Sequence, residues 1–217
     1  MRRSGDPRVG RTARPDALYI AFEGGEGSGK STQAARLARR LDAVLTREPG
    51  GTTIGARLRE LLLDPATAQL DARAEALLMA ADRAQHRAEI IAPALASGRH
   101  VVSDRSVYSS LAYQGGGRGL DLDTIRSISA WALDGCWPDL VVLLDLDASS
   151  AARRLADRQL DRFELEEGEF SARLRATFVD LASSEPERWL TVDGSGGIDD
   201  VGAAVDSAVD AWLAMAP

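Results

Sequence analysis

Cysteine, histidine, lysine and asparagine are scarce or missing in this chain of 217 residues. The single cysteine, Cys136, excludes an intramolecular disulfide and fits a reducing compartment, with the part of a small buried hydrophobe as its expected role. Two histidines, His86 and His100, leave little material for a histidine-based metal centre or a hydrolase triad. With no asparagine at all, the Asn-Lys-x-Asp motif through which switch GTPases read guanine cannot occur. No apolar run approaches the ~20 residues that span a bilayer. Met1 to Asp16 carries Arg2, Arg3, Arg8, Arg11 and Arg14 around no apolar core. It lacks the hydrophobic region of a secretory signal and reads as a disordered basic tail, 1–16, rather than a transit peptide. A net charge of −7 argues against non-specific nucleic-acid binding, which needs a positive footprint. The expectation is a cytoplasmic protein with one well-buried domain over 17–217.

The one lysine is Lys30, and it stands where a lysine has a specific use. Leu18 to Leu41 reads as an apolar strand, a glycine-rich turn and an amphipathic helix opening at Lys30. Gly24-x4-Gly29-Lys30-Ser31 is the phosphate-loop pattern in the context that pattern requires. Gly24, Gly25, Gly27 and Gly29 allow turns closed to residues with a side chain, so that several N–H groups converge on one anion. The helix N-terminus adds unpaired N–H groups and partial positive charge. Lys30 is expected to reach the β- and γ-phosphates and the Ser31 hydroxyl to ligate Mg²⁺. A chain that uses arginine everywhere else keeps a compact ammonium here. It binds a nucleoside triphosphate.

Four further strands are expected: Ala43 to Thr46, His100 to Asp104, Leu140 to Asp145 and Trp189 to Val192. Between them fall helices over Ile54 to Leu63, much of Asp71 to Ser97, Leu122 to Leu133, Phe170 to Ser183 and Ile198 to Met215. Ile54, Leu58, Leu61 and Leu62 are expected on one apolar face; Leu77, Leu78, Ile90, Ile91 and Leu95 are expected in the core, with Pro93 breaking or kinking the helix or beginning a new turn. Strands alternating with helices imply a three-layer α/β phosphate-loop fold, a five-stranded parallel sheet covered on both faces. Arg47, in the loop ending strand two, can grip a phosphate. Arg83 alone reads as a solvated helix residue. Two acids compete as metal holders, Asp104 and Asp145, each ending an apolar run, and periodicity does not choose between them. The arginine-dense stretch Ala148 to Arg162 is either an exposed helix or a mobile lid. The four tryptophans read as core or interface residues.

Taken together, FEGGEGSGKSTQ (22–33), REPGGT (47–52), AADRAQH (80–86), SDRSVYSSLAYQGGGRGL (103–120), PDLVVLLDLD (138–147) and DRFE (161–164) resemble the bacterial thymidylate kinase family. The resemblance implies transfer of phosphate from ATP to dTMP, in dTTP biosynthesis, with Mg²⁺ and in a homodimer. It implies an ATP site of Gly24, Gly25, Glu26, Gly27, Ser28, Gly29, Lys30, Ser31 and Thr32. Arg47 would hold the acceptor phosphate, Arg83 and Gln114 the thymine, Tyr113 the deoxyribose and Glu26 the 3′-hydroxyl. Asp104, with Ser31, would organise the metal, and Arg105 would bridge donor and acceptor phosphates. A lid over about 153–166 would supply a catalytic arginine, Arg158 or Arg162. Met79 stands where the family usually has phenylalanine, and Ser106 where it often has an aromatic. Those departures keep a second reading in view, a kinase for another nucleoside monophosphate, beside a catalytically silent nucleotide-binding relative.

Overall fold

The computed structural model describes residues 16–156, 161–166 and 168–215; the expected basic tail up to residue 15, and Arg158, lie outside the described residues. The strands β1 (Tyr19–Glu23), β2 (Val44–Arg47), β3 (Val101–Asp104), β4 (Leu140–Asp145) and β5 (Trp189–Asp193) form one sheet in the order β2-β3-β1-β4-β5. Each pairing is parallel. The innermost strands read as unbroken apolar runs because helices cover both their faces, and every residue of β1 is buried. The edge strand β2 alternates half-buried and exposed positions.

Helices α1 (Lys30–Arg40) and α9 (Ile198–Ala214) cover one face, where Leu37, Val201 and Val205 pack on Ile20, Phe22, Val102, Val142 and Leu144. The opposite face is covered by α3 (Ala72–His86), α5 (Val107–Ser110), α6 (Leu122–Leu133) and α8 (Glu169–Ser184) around Val141, Leu143 and Trp189. The short α4 (Ala92–Ala96) packs Ala94 near Tyr19 and Val101. Helices α2 (Thr53–Leu63) and α7 (Ala148–Leu155) complete the α-helices among the described residues, and a 3-10 turn over Pro65–Thr67 follows α2. Cys136 is half-buried beside the Tyr19–Val101 cluster, less enclosed than expected.

Two expectations about the core need correcting. On α2 only Leu62 of the expected apolar face is buried, while Ile54 and Leu61 are exposed. On α3, Leu77 is exposed and the buried side carries Glu75, Asp82, Arg83 and His86. The helix turns a charged face inward because that face finds charged partners there, as the site shows. Of the outcomes expected for Pro93, the structure shows the start of a new turn: a π turn over Arg87–Ile91 joins α3 to α4, and Pro93 sits in the first turn of α4, where a missing N–H is tolerated.

A second π segment, Leu111–Gly117, follows α5 and carries the glycine-rich run. Those glycines serve close packing. A Cβ on Gly117 would meet the Phe170 ring at 2.5 Å, and one on Gly116 would lie 2.8 Å from the Thr177 Cβ, fixed on α8. Helix propensity alone makes Gly116→Ala stabilising by about 1 kcal/mol. The collision makes it destabilising instead, by roughly 1–3 kcal/mol, and denaturant unfolding reads the sign directly.

Candidate active site

Strand register brings the chemistry to one edge. Arg47 lies opposite Asp104 across β2 and β3, and Phe22 lies opposite Asp104 across β1 and β3. The loops leaving these strands therefore meet at the carboxyl edge of the sheet, where its strand order switches direction. The phosphate loop fills this crevice. Gly24 has φ 142°, and a Cβ there would meet the Leu144 carbonyl oxygen at 2.5 Å; Gly29 caps α1 in the left-handed region, φ 92°. Lys30 is buried and donates to the Gly25 carbonyl at 2.6 Å and to Ser28 Oγ at 3.3 Å. Burial, then the neighbouring Arg105, lowers its pKa to about 8.

Arg105 is the centre of the crevice. Its backbone is left-handed, φ 70°, and its N–H continues the ladder to the Phe22 carbonyl at 2.9 Å. The guanidinium pairs with Glu26, donates to the Gly24 carbonyl at 3.3 Å and lies 5.0 Å from the Tyr113 ring centre. Tyr113 Oη donates to the same Glu26 oxygen at 2.6 Å. Burial alone would raise the Glu26 carboxyl, but Arg105, then Lys30 and Tyr113, outweigh it and hold it at about 2. Behind this pair, Glu23 Oε1 accepts from the Ser106 N–H at 2.8 Å and the Ser106 hydroxyl at 2.7 Å, and Oε2 accepts from the Ser109 hydroxyl at 2.6 Å. Ser106 is the N-cap of α5 and is fully enclosed, which gives this position a polar task that an aromatic could not perform. Burial pushes the Glu23 carboxyl up to about 7 against the pull of Ser109, Arg105 and Ser106.

Asp104 and Asp145 have different surroundings. Asp145 accepts two 2.8 Å bonds from Arg175, a bidentate pair that occupies both oxygens. Asp104 Oδ2 accepts from Ser31 Oγ at 2.5 Å, and its buried Oδ1 has no partner among the described residues. A hard cation fits an oxygen left open beside a serine hydroxyl. Among the described residues no group of three or more His, Cys, Asp or Glu could hold a metal, so phosphate and water oxygens would have to complete the shell, which suits Mg²⁺.

Beside Arg105 opens a cavity lined by Met79, Arg83, Tyr113, Gln114, Phe163 and, at its rim, Arg59. Arg83 is 2% exposed. Its Nε donates to Glu48 Oε2 at 3.0 Å and one terminal nitrogen to Ser110 Oγ at 2.9 Å, leaving Nη1 without a partner among the described residues. Glu48 Oε1 meets His86 Nδ1 at 2.9 Å, and His86 Nε2 meets Thr46 Oγ1 at 2.6 Å. A solvated helix arginine is therefore the wrong reading of Arg83: it is held inside by Glu48. Asp82, whose carboxyl is raised to about 6 by burial and Glu48, accepts from the Gly50 N–H at 3.0 Å and pins the same loop. Arg47 is exposed at the mouth of a second hollow shared with Ser31 and Asp104.

The expected residues thus gather, except on the lid. Arg162 is 5% exposed, stacks 4.6 Å from the Phe163 ring centre and pairs with Glu75 at 2.7 Å rather than facing the phosphate loop. Glu23, Glu48, Arg59, Glu75 and Asp82 line or brace the site without having been singled out. Glu23 could have been nominated by the rule that nominated both Asp104 and Asp145, an acid ending a buried strand. Glu75 looks like an ordinary first-turn acid on α3 and carries no such signal.

Comparison with known proteins identifies the family of the chain as a whole. The family model described as thymidylate kinase matches residues 22–205. The chain is similar to thymidylate kinases of Leifsonia xyli, 48% identical over 92% of this chain and 97% of the relative, and Halothermothrix orenii, 50% identical over 81% and 88%. A crystal structure of thymidylate kinase from Ehrlichia chaffeensis superposes with a TM-score of 0.74 at 32% identity, covering 90% of this chain and 100% of that one.

The Glu48–Arg83 pair yields a test. Glu48→Gln leaves a buried guanidinium without its counter-charge and is expected to cost about 3–5 kcal/mol in denaturant unfolding. A loss below about 1 kcal/mol, the size of a surface pair, would contradict the enclosed arrangement.

Proposed function

The chain belongs to the thymidylate kinase family, and from that membership we infer its chemistry: it is an enzyme that phosphorylates dTMP to dTDP with ATP as donor, a step of nucleotide biosynthesis. The observation that carries the reading on this chain is the coexistence of a phosphate loop and a neighbouring cavity lined by Met79, Arg83, Tyr113 and Gln114, with Arg105 between them. The phosphate loop, Gly24 to Thr32, takes the triphosphate on its N–H groups, and Lys30 exchanges its bond to the Gly25 carbonyl for the donor phosphates. Arg47 takes the acceptor phosphate. The thymine lies against Met79 and is read by Arg83 and Gln114, whose unpartnered Nη1 and Oε1 support that role. Tyr113 packs on the deoxyribose, and Glu26 receives the 3′-hydroxyl.

Arg105 leaves Glu26 to bridge the two phosphates, placing a cation where charge shifts during transfer. Ser31 and Asp104 would hold Mg²⁺, which supplies charge neutralisation to the phosphate oxygens. Arg158 or Arg162 of the lid, about 153–166, would add a further cation; Arg162 would have to leave Glu75 to do so. Residues 17–217 would act as one kinase domain. Exposed Leu77 on α3 and Leu122 and Trp131 on α6 support a homodimer. No helix among the described residues is long and apolar enough to cross a membrane, and a cytoplasmic location is proposed from the substrates.

The test is ADP release from ATP and Mg²⁺ across dTMP, dUMP, dCMP, dGMP, AMP, CMP and GMP. The expected outcome is a kcat/KM for dTMP at least about tenfold above every other acceptor. Equal or better use of another monophosphate would replace the substrate, and turnover with none would overturn the enzyme reading.

A further inference from the structure

Glu75 lies on the buried side of α3, fully enclosed, with hydrogen bonds to Oε1 and only ion pairs at Oε2. Oε2 carries the ion pairs to Arg162 at 2.7 Å and Arg118 at 3.3 Å. Oε1 faces the cavity wall and accepts from Gln114 Nε2 at 2.8 Å. A side-chain amide can turn either end towards a neighbour, and the network decides which. A carboxylate between two guanidiniums has only acceptors to offer, so the amide NH2 of Gln114 must face Glu75. Gln114 is itself fully buried, and its Oε1 has no partner among the described residues.

We propose that Glu75 is a positioning residue that locks the Gln114 amide with its oxygen towards the base and so makes the cavity select pyrimidines carrying an N3–H; this rests on the reading of the cavity as the base site. Arg83 Nη1 supplies a donor and Gln114 Oε1 an acceptor within one cavity. Thymine and uracil present the complement, an O4 acceptor beside an N3–H donor. Cytosine reverses both, with an N4 amino group beside a bare N3, and would set donor against donor and acceptor against acceptor. A glutamine at position 75 could offer its own NH2, so the Gln114 amide would be free to turn and accept either polarity.

The experiment compares kcat/KM for dTMP, dUMP and 5-methyl-dCMP in the wild type, Glu75→Gln and Glu75→Asp. Ratios between acceptors are independent of how much of a variant is folded. The wild type is expected to prefer dTMP over 5-methyl-dCMP by at least about 100-fold, because mismatched polar groups are left unpaired. Glu75→Gln should reduce that ratio about tenfold or more while the dTMP-to-dUMP ratio stays within about threefold, since those bases differ only in the methyl. Glu75→Asp keeps an acceptor-only side chain and should keep the wild-type ratio. An equal fall for all three acceptors in Glu75→Gln would mean a merely structural role and would overturn the proposal. Should Glu75→Gln not fold, the wild type decides: use of 5-methyl-dCMP within tenfold of dTMP overturns it. A wild type that uses neither dTMP nor dUMP would instead remove the functional reading beneath it.

Discussion

The ion pair between Arg105 and Glu26 joins the two halves of this site, and much of the surrounding structure serves to hold it. Glu26 belongs to the phosphate loop after β1, and Arg105 follows β3 beside the cavity lined by Met79 and Arg83. A non-glycine residue in the left-handed region costs on the order of 1–2 kcal/mol. Arg105 is kept there by its N–H bond to Phe22 on one side and by Ser106, fastened to Glu23, on the other. Glu23 is thus the post to which the loop carrying Arg105 is tied. Tyr113 bonds to Glu26 and stacks edge-on against Phe163 at 5.4 Å, so the pair is enclosed by aromatic packing as well as by charge.

The same economy recurs in the cavity. Helix α3 presents Glu75, Asp82, Arg83 and His86 inward, and each finds a partner on another element: Gln114 and Arg162 for Glu75, the Gly50 N–H for Asp82, Glu48 for both Arg83 and His86. Burying charges is costly unless they are paired and hydrogen-bonded. The pairings satisfy most of these groups and leave specific valences open: Asp104 Oδ1, Arg83 Nη1 and Gln114 Oε1. Glu75 Oε2 and Arg162 Nη2 also complete no hydrogen bond among the described residues, but they belong to an ion pair. The three open atoms that line the cavity or the phosphate-loop crevice are the ones a ligand would complete.

Much of this was legible in the sequence. The phosphate loop and the five strands are local patterns, written in adjacent residues, and they stand where expected. The inward charge of α3 was not legible, because hydrophobic periodicity assumes that charged faces meet water. Leu77 was expected inside and lies outside for the same reason. Resemblance, not periodicity, pointed Arg83 and Asp104 to the site; the structure shows Arg83 held inside by Glu48 and Asp145, the competing acid, engaged by Arg175. Glu75 stayed invisible because its partners come from residues 114, 118 and 162, distant in sequence.

Arg105→Lys measures the central claim most directly, through the single-turnover rate of phosphoryl transfer and the Kd for dTMP on the same protein. Lysine keeps the charge and can still meet Glu26, but it lacks the planar fork needed to bridge two phosphates. With the base held by Arg83 and Gln114, as proposed, Kd should stay within about tenfold while transfer slows by about 1,000-fold or more, the size typical of a transition-state arginine. Transfer within tenfold of the wild type, or a loss of dTMP binding as large as the loss of rate, would contradict the account.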